Sequence, residues 1–481
     1  MALQSMILAG REVSASSLSH PLAMSAPVLK TVTLGCKVNQ YETEYVREGL
    51  NSIGYRDGSK EDIADLCIVN TCTVTAEGDS KSRQVIRQLA RRNPGTKIVV
   101  MGCYATRAPE EVASLGGVVE VLTDKRELPD LLGRFGVVAV PTGISSFGNR
   151  HRAYIKVQDG CMLRCSFCII PSVRPQLASR PLEHVLDEAR RLIDGGYREL
   201  VLTGIHLGHY GVEWSRDRPK SEWTRLADLV RILAQLPGDF RLRLSSIEAT
   251  EVTRELIAVM AEYPEKVCPH LHISMQSGSD SVLRRMRRRW GSQRLIDRCG
   301  LLQDVLDRPA LTTDVIVGFP GETDEEFQQT CNVVRQIGFS KIHIFPFSAR
   351  RTTAAADMPG QIPKQLKAQR GRHLAEVETQ GRRAYFESLA LMRLSVLVES
   401  PDGQQADQLI GTACRYAPVR IAGNRATPGQ IVQVTAGAIV DRSADNADPV
   451  IVALDEPRCF AIPVEKRMVS WAPAVVTDRA E

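Results

Sequence analysis

The amino-acid sequence predicts an α/β protein in three parts: an N-terminal parallel α/β domain, a partial (β/α)6 barrel and a small C-terminal β-barrel. Three observations carry this. Short β-branched runs alternate with amphipathic helical stretches between residues 153 and 345, and such alternation builds parallel sheets. Ahead of them, three apolar runs each end in a cysteine. Beyond about residue 385, short strand-like runs separated by Gly, Pro and Asp turns replace the helical pattern.

A chain of 481 residues exceeds what one core supports, so two or three domains are expected. The boundaries are read as a disordered extension at 1–28, the N-terminal domain at 29–145, the partial barrel at 146–384, the small barrel at 385–470 and a tail at 471–481. The extension is rich in Ser and Ala and carries Arg11 and Glu12, where a secretory signal would be purely apolar. No apolar run approaches the roughly 20 residues of a membrane helix, so no membrane partner is expected. Twelve cysteines in a chain of this size suggest a reducing cytoplasm and metal chemistry rather than a disulfide scaffold. A net charge of +5 permits a nucleic-acid partner without demonstrating one.

In the N-terminal part the apolar runs are Thr31–Cys36, Leu66–Cys72 and Lys97–Cys103, with helical crossovers at Glu42–Leu50 and Lys81–Arg91. As strands of one parallel sheet, they would bring Cys36, Cys72 and Cys103 together at its carboxyl edge. A single buried cysteine is often only a small hydrophobe, and Cys67, inside its run, is read that way. Three at equivalent strand ends read as a three-cysteine cluster site.

Six strands are expected next, at Ala153–Val157, Glu199–Thr203, Arg241–Ser245, His270–Ser274, Leu311–Val317 and Lys341–Phe345. Helical stretches at Leu182–Ile193 and Leu226–Leu236 lie between them, and the helix after Gly321–Glu322 opens with acidic residues, as a first turn should. From the carboxyl end of the first strand leave Cys161, Cys165 and Cys168 in the spacing CxxxCxxC. Electron-carrying clusters and structural zinc normally use four protein ligands; three thiolates leave one iron of a 4Fe-4S cluster open. A zinc knuckle or redox-sensing thiols are the bland alternative. The next cysteine, Cys268, is about a hundred residues away, beside Pro269.

This spacing, with Phe167 before the last cysteine, resembles the radical S-adenosylmethionine (SAM) enzymes. The resemblance implies that SAM chelates the open iron and is split to release a 5′-deoxyadenosyl radical. Candidate SAM contacts sit where successive strands end: Thr203 and Gly204, Ser246 and Glu248, Gln276, and Gly318 and Gly321. Taken singly, each is an ordinary turn residue; their recurrence at one end of the barrel favours a site.

Further segments carry a closer resemblance: Gly35–Asn39, Asn70–Thr75, Gly102–Ala105, Gln158–Cys161, Ser245–Glu248, His270–His272, Gln276–Gly278 and Gly318–Glu322. Together they resemble the methylthiotransferases from about residue 30 to 470. That family implies two 4Fe-4S clusters, an auxiliary one on Cys36, Cys72 and Cys103 and a SAM-cleaving one on Cys161, Cys165 and Cys168. It implies sulfur insertion into an unreactive C–H bond followed by methylation. It also implies a sulfur donor and an electron donor such as flavodoxin or ferredoxin.

The segment Thr33–Glu44 resembles the branch that acts on threonylcarbamoyladenosine at tRNA position 37, in the anticodon stem-loop. The isopentenyladenosine branch more usually has Gln-Met-Asn after the cysteine, where this chain has Lys37-Val38-Asn39. Alternatives are that branch, the ribosomal-protein aspartate branch, and a non-catalytic iron–sulfur RNA-binding or redox protein. Basic runs at Arg284–Arg289 and Lys364–Arg383 suit a phosphate backbone; the first is dense enough to need an anionic partner to offset its self-repulsion. The C-terminal part resembles the RNA-binding TRAM domain, with Gly411–Tyr416 as its loop, although its acidic residues at least balance its basic ones. Two departures from the family pattern are Pro175 after Arg174, where glycine is common, and Arg350-Arg351-Thr352-Thr353, where Arg-x-Gly-Thr is usual.

Overall fold

The computed structural model describes residues 26–459, except Asn149, Arg216, 220–221, Gln404, 424–425, 442–448 and 456–457. The tail at 471–481 and the extension before residue 26 fall outside the described residues. Val28 already belongs to the first strand, so ordered structure begins before the expected boundary at 28.

The N-terminal sheet has five parallel strands in the spatial order Arg56–Asp57, Val28–Thr33, Leu66–Thr71, Lys97–Gly102, Val118–Val121. Every residue of Leu66–Thr71 is buried, as a central parallel strand covered on both faces must be. The two outer strands are not among the expected ones: Arg56–Asp57 is two exposed polar residues, and Val118–Val121, although valine-rich, is partly exposed and ends in no cysteine. Helices Lys37–Asn51 and Ala76–Arg92 make the crossovers. In the second, Thr75 accepts from the Gly78 N–H, Glu77 and Asp79 lie in the first turn, and Arg91 and Arg92 in the last. Each of these choices suits the helix dipole. The strand order reverses direction between Val28–Thr33 and Leu66–Thr71, which is where open α/β sheets bind their ligands.

The second part is a parallel half-barrel of six main strands: Arg152–Asp159, Glu199–Gly204, Arg241–Leu244, His270–Ile273, Ala310–Val317 and Lys341–Pro346. The junction between Arg241–Leu244 and His270–Ile273 runs through a bridge from Leu242 to Val267 and through Ser246–Ile247 beside His272–Ile273. Alternation along the strands decides which face meets which surroundings. Ile155, Leu200, Leu202, Leu242, Leu271 and Ile273 join the core, which is continuous with one face of the N-terminal sheet through Leu29, Tyr41, Tyr45 and Leu50. Arg152, Glu199, Arg241, Arg243, His270, His272, Asp314 and His343 lie on the opposite, lumenal face; Glu199 pairs with the three arginines, Asp314 with His272 and His343, and His270 with Thr312. Glu199 is fully buried there between Arg241 and Arg243, at 2.7 and 3.0 Å.

Helix Lys364–Ser388 leads out of the half-barrel and runs across the boundary expected at 384/385. The next strand begins only at Arg393. The C-terminal strands close on themselves: Arg393–Asp402, Gln405–Ala413, Pro418–Ala422, Val450–Ala453 and Ile431–Val440 pair in turn, and the last pairs back to the first. This small barrel caps the amino end of the half-barrel. Arg241 donates to the Ser395 carbonyl at 2.7 Å, Arg243 to the Cys414 carbonyl at 3.1 Å, and Tyr416 stacks on His270 with ring centroids 4.6 Å apart. The Gly411–Tyr416 loop is therefore occupied inside the molecule. Among the described residues, no helix is long and apolar enough to cross a membrane.

Candidate catalytic centre

Cys36, Cys72 and Cys103 follow three neighbouring strands of the N-terminal sheet. The structure brings their thiols close enough that Cys103 and Cys36 each bear on the ionisation of Cys72. The residues around them act as staples. The Asn39 amide donates to the carbonyls of Leu34 at 2.9 Å and Thr71 at 3.0 Å, and Asn70 donates to the Asn39 carbonyl at 2.9 Å. The Thr71 hydroxyl donates to the Met101 carbonyl at 2.7 Å. Gly102 has φ +97°, and a Cβ there would lie 2.3 Å from Asn70 Oδ1 and 2.4 Å from the Thr71 carbonyl oxygen, so the turn that delivers Cys103 admits only glycine.

Cys161, Cys165 and Cys168 line a cavity of about 150 Å³ with His206, Ser246, Glu248, Gln276 and Arg288. Three of the expected SAM contacts, Ser246, Glu248 and Gln276, are thus on its wall. Thr203 is buried in its strand, and Gly204 pairs with Gln158; the residues that follow, Ile205 and His206, reach the cavity instead. Gly318 and Gly321 are not among the lining residues. A Cβ on Gly318 would meet Lys367 at 2.4 Å, and the Gly321 N–H donates to the Gly360 carbonyl at 2.8 Å. The cysteine loop is pinned from outside: the Ser166 hydroxyl donates to the Arg285 carbonyl at 2.7 Å, and its N–H to the Met286 carbonyl at 3.0 Å.

Arg174 links the two cysteine sites. Its carbonyl accepts from the Cys161 N–H at 3.1 Å, while its Nε donates to Cys103 Sγ at 3.4 Å. The rest of its guanidinium holds both oxygens of Glu42 and both of Asp159 at 2.8 Å, and Asn39 Oδ1 at 3.1 Å. Lys156 completes the group, 2.7 Å from Glu42 and 2.6 Å from Asp159. Burial alone would raise the pKa of Glu42, but Arg174 and Lys156 outweigh it and hold the carboxyl below its usual value. Asn39, Glu42, Lys156 and Asp159 were not expected as site residues. The spacing of Cys36, Asn39 and Glu42, three residues apart along one helix face, is the signal that could have found two of them.

The SAM-side cysteines have a counterpart in Arg288, which donates to Cys165 Sγ at 3.5 Å and pairs with Glu248, itself an acceptor for Trp290 Nε1 at 3.2 Å. This corrects the expectation for the Arg284–Arg289 run. Its charge is matched partly within the protein, by Glu248 and by Glu326, which lies 2.7 Å from Arg285. The later basic stretch is similarly engaged at Arg370, 2.7 Å from Glu322. His206 Nδ1 lies 3.6 Å from Cys161 Sγ, and its Nε2 pairs with Glu251. Burial would lower the His206 pKa, but those two partners push it up to about 10.

The donor sets fit iron–sulfur clusters. Each offers three thiols, and the remaining described cysteines do not supply a fourth ligand. Cys268 is buried near Arg243, and Cys67 packs within its strand against Thr96. Burial pushes the Cys168 thiol up to about 12, and the charge of a bound cation would favour its thiolate.

Comparison with known proteins gives the same answer. Residues 155–334 match the Radical SAM superfamily, and residues 29–124 the uncharacterized protein family UPF0004. The chain is 38% identical over 421 residues, 84% of its length and 92% of the relative's, to the threonylcarbamoyladenosine tRNA methylthiotransferase MtaB of Bacillus subtilis. It belongs to that methylthiotransferase family. The Chlamydia pneumoniae member is 41% identical over 78% of this chain and 88% of its own. A tRNA-2-methylthio-N(6)-dimethylallyladenosine synthase from Corynebacterium urealyticum is 32% identical over 88% of this chain and 81% of its own. Among solved structures, the radical SAM methyltransferase TsrM from Kitasatospora setae superposes with a TM-score of 0.52 at 13% identity, covering 69% of this chain and 75% of that one; this shows a shared fold.

Proposed function

We propose that the protein converts N(6)-threonylcarbamoyladenosine at position 37 of tRNA to its 2-methylthio derivative, as a radical SAM methylthiotransferase. The observation that carries this is the pair of three-cysteine sites tied together through Arg174, in a chain whose family acts on that nucleoside. Cys161, Cys165 and Cys168 would hold the SAM-binding 4Fe-4S cluster and Cys36, Cys72 and Cys103 the auxiliary one. When bound, these groups supply the radical chemistry that an unactivated C–H bond requires, and the sulfur and methyl to be added.

The chain's own residues set the stage. Arg174 and Arg288 each place a cation against one cysteine sulfur, stabilising the thiolate state that ligation needs. Ser246 and Gln276 offer polar contacts to SAM on the cavity wall, while Glu248 is held in place by Arg288 and Trp290. The small barrel seals the lumen's amino end, so a base enters from the mouth where the cysteines sit. A low-potential electron donor such as flavodoxin or ferredoxin and a sulfur donor complete the reaction, which we place in the cytoplasm on the tRNA anticodon stem-loop.

Mass spectrometry of tRNA nucleosides from source cells with and without the gene tests the reading. Loss of 2-methylthio-threonylcarbamoyladenosine with accumulation of its unthiolated precursor is the expected result. An unchanged profile overturns it.

A further inference from the structure

Lys37 follows Cys36 as the first residue of helix Lys37–Asn51, whose first turn holds no acidic residue. A cation there opposes the helix dipole, so local helix stability does not explain it. Lys37 keeps solvent access, yet the protein around its ammonium desolvates it enough to lower its pKa, as at the wall of an open cavity. The charged groups that face it are Asp314, Arg152, Arg243 and Cys36. Three of these stand on separate strands of the half-barrel, which places the Lys37 ammonium inside the lumen although its backbone belongs to the N-terminal domain.

The groups around Lys37 are already matched. Arg152 pairs with Glu399 and lies 3.6 Å from Glu199, and Arg243 lies 2.9 Å from Glu199. Asp314 is held by His272 at 3.3 Å and His343 at 3.1 Å. Lys37 itself makes no hydrogen bond or ion pair with a described residue; its interaction with Asp314 is through space. The lumen thus carries a cation without a contact partner, one peptide bond from Cys36. An incoming base must come close to that cysteine.

We infer that Lys37 is the counter-ion for the carboxylate of the threonylcarbamoyl substituent, and that it selects an adenosine bearing an anionic substituent over one bearing a neutral substituent. This rests on the function proposed above. The substituent is a threonine joined through a carbonyl to the exocyclic nitrogen, so it ends in a carboxylate. An ammonium in a walled lumen gives a charge-assisted contact worth more than one in open water. A neutral substituent would leave the cation without a partner, which is how a polar site rejects a near neighbour.

The test uses the full-length, cluster-loaded protein and synthetic anticodon stem-loops carrying threonylcarbamoyladenosine or its methyl ester, which differ by one charge. Wild type is expected to bind the acid about tenfold more tightly than the ester, equivalent to about 1.4 kcal/mol. Lys37→Gln should bring that ratio to about one, and Lys37→Arg should keep it; iron content is measured alongside to confirm that each variant is loaded. The comparison of acid with ester on wild type needs no variant and stands if Lys37→Gln fails to load. Equal binding of acid and ester by wild type, or a tenfold ratio retained in Lys37→Gln, overturns the inference. If wild type converts the acid yet binds both RNAs equally, this inference alone fails. If it leaves threonylcarbamoyladenosine unconverted, the proposed function fails and takes the inference with it.

Discussion

The two three-cysteine sites reach a similar arrangement by opposite routes. Cys161, Cys165 and Cys168 come from one loop, and their relative placement is largely a matter of local spacing. Cys36, Cys72 and Cys103 come from three strands and converge only because a parallel sheet places its carboxyl ends side by side at the point where the strand order reverses. Each site has a buried arginine on one sulfur, Arg288 on Cys165 and Arg174 on Cys103. The arginines differ in what they hold. Arg288 stands on the wall of the cavity, whereas Arg174 is buried between the two domains and satisfies two carboxylates at once. The difference teaches that the local site takes its spacing from one loop, pinned to its neighbours through Ser166, while the non-local one takes its spacing from a sheet and leans on the interface through Arg174.

That contrast can be broken experimentally. The largest effect is expected from Arg174→Ala, which leaves Glu42 and Asp159 buried without their cation. Removing one partner of such a network costs about 3–5 kcal/mol, so thermal unfolding should shift down strongly and the auxiliary site should fail to hold iron. Retention of wild-type stability and of both clusters would show that the interface does not depend on this residue. Gly102→Ala should come next, because its methyl would collide with Asn70 and Thr71. Iron content should fall toward a single cluster while SAM cleavage persists, and an unchanged iron content would contradict the strand-end account. Arg288→Met should be milder on stability and should act on the SAM side, weakening SAM binding measured by calorimetry while leaving auxiliary iron in place.

The smallest effect concerns a departure from the family pattern. Thr352 has φ +73°, a backbone region costly for a β-branched residue. It stands where the family usually has glycine, beside Arg350, which reaches Asp79 of the N-terminal domain at 2.8 Å. Thr352→Gly should stabilise the protein by about 1 kcal/mol, read as a modest rise in Tm. A fall in Tm would mean that the threonine side chain contributes more than its backbone costs.

These residues also mark what the sequence makes legible. The six half-barrel strands can be read because one face of each carries apolar, often β-branched residues next to turn residues, and the CxxxCxxC loop because its spacing is local. The edge strand Arg56–Asp57 carries no apolar signal, whereas Val118–Val121 is valine-rich and goes unread because no cysteine marks its end as one of the set. The Arg174 network is hidden for a different reason: Glu42 and Arg174 are 132 positions apart, and nothing local in either segment announces the pairing. The run Arg284–Arg289 misleads in the opposite sense. Six consecutive positions with five arginines read as a surface for an external anion, yet Arg288 is buried against Glu248 and Cys165. Charge along a sequence does not say which side chains face inward. The C-terminal barrel is legible as short strands, but its role as a plug rests on Arg241, Arg243 and Tyr416 meeting across the interface.

The central claim is that two separate cysteine sites divide the labour of one reaction. The most direct measurement takes reconstituted Cys36→Ala and Cys165→Ala and assays SAM cleavage and tRNA methylthiolation side by side. The account predicts that Cys165→Ala loses both, whereas Cys36→Ala still cleaves SAM and forms no methylthio product. Methylthiolation by Cys36→Ala at the wild-type level would contradict it.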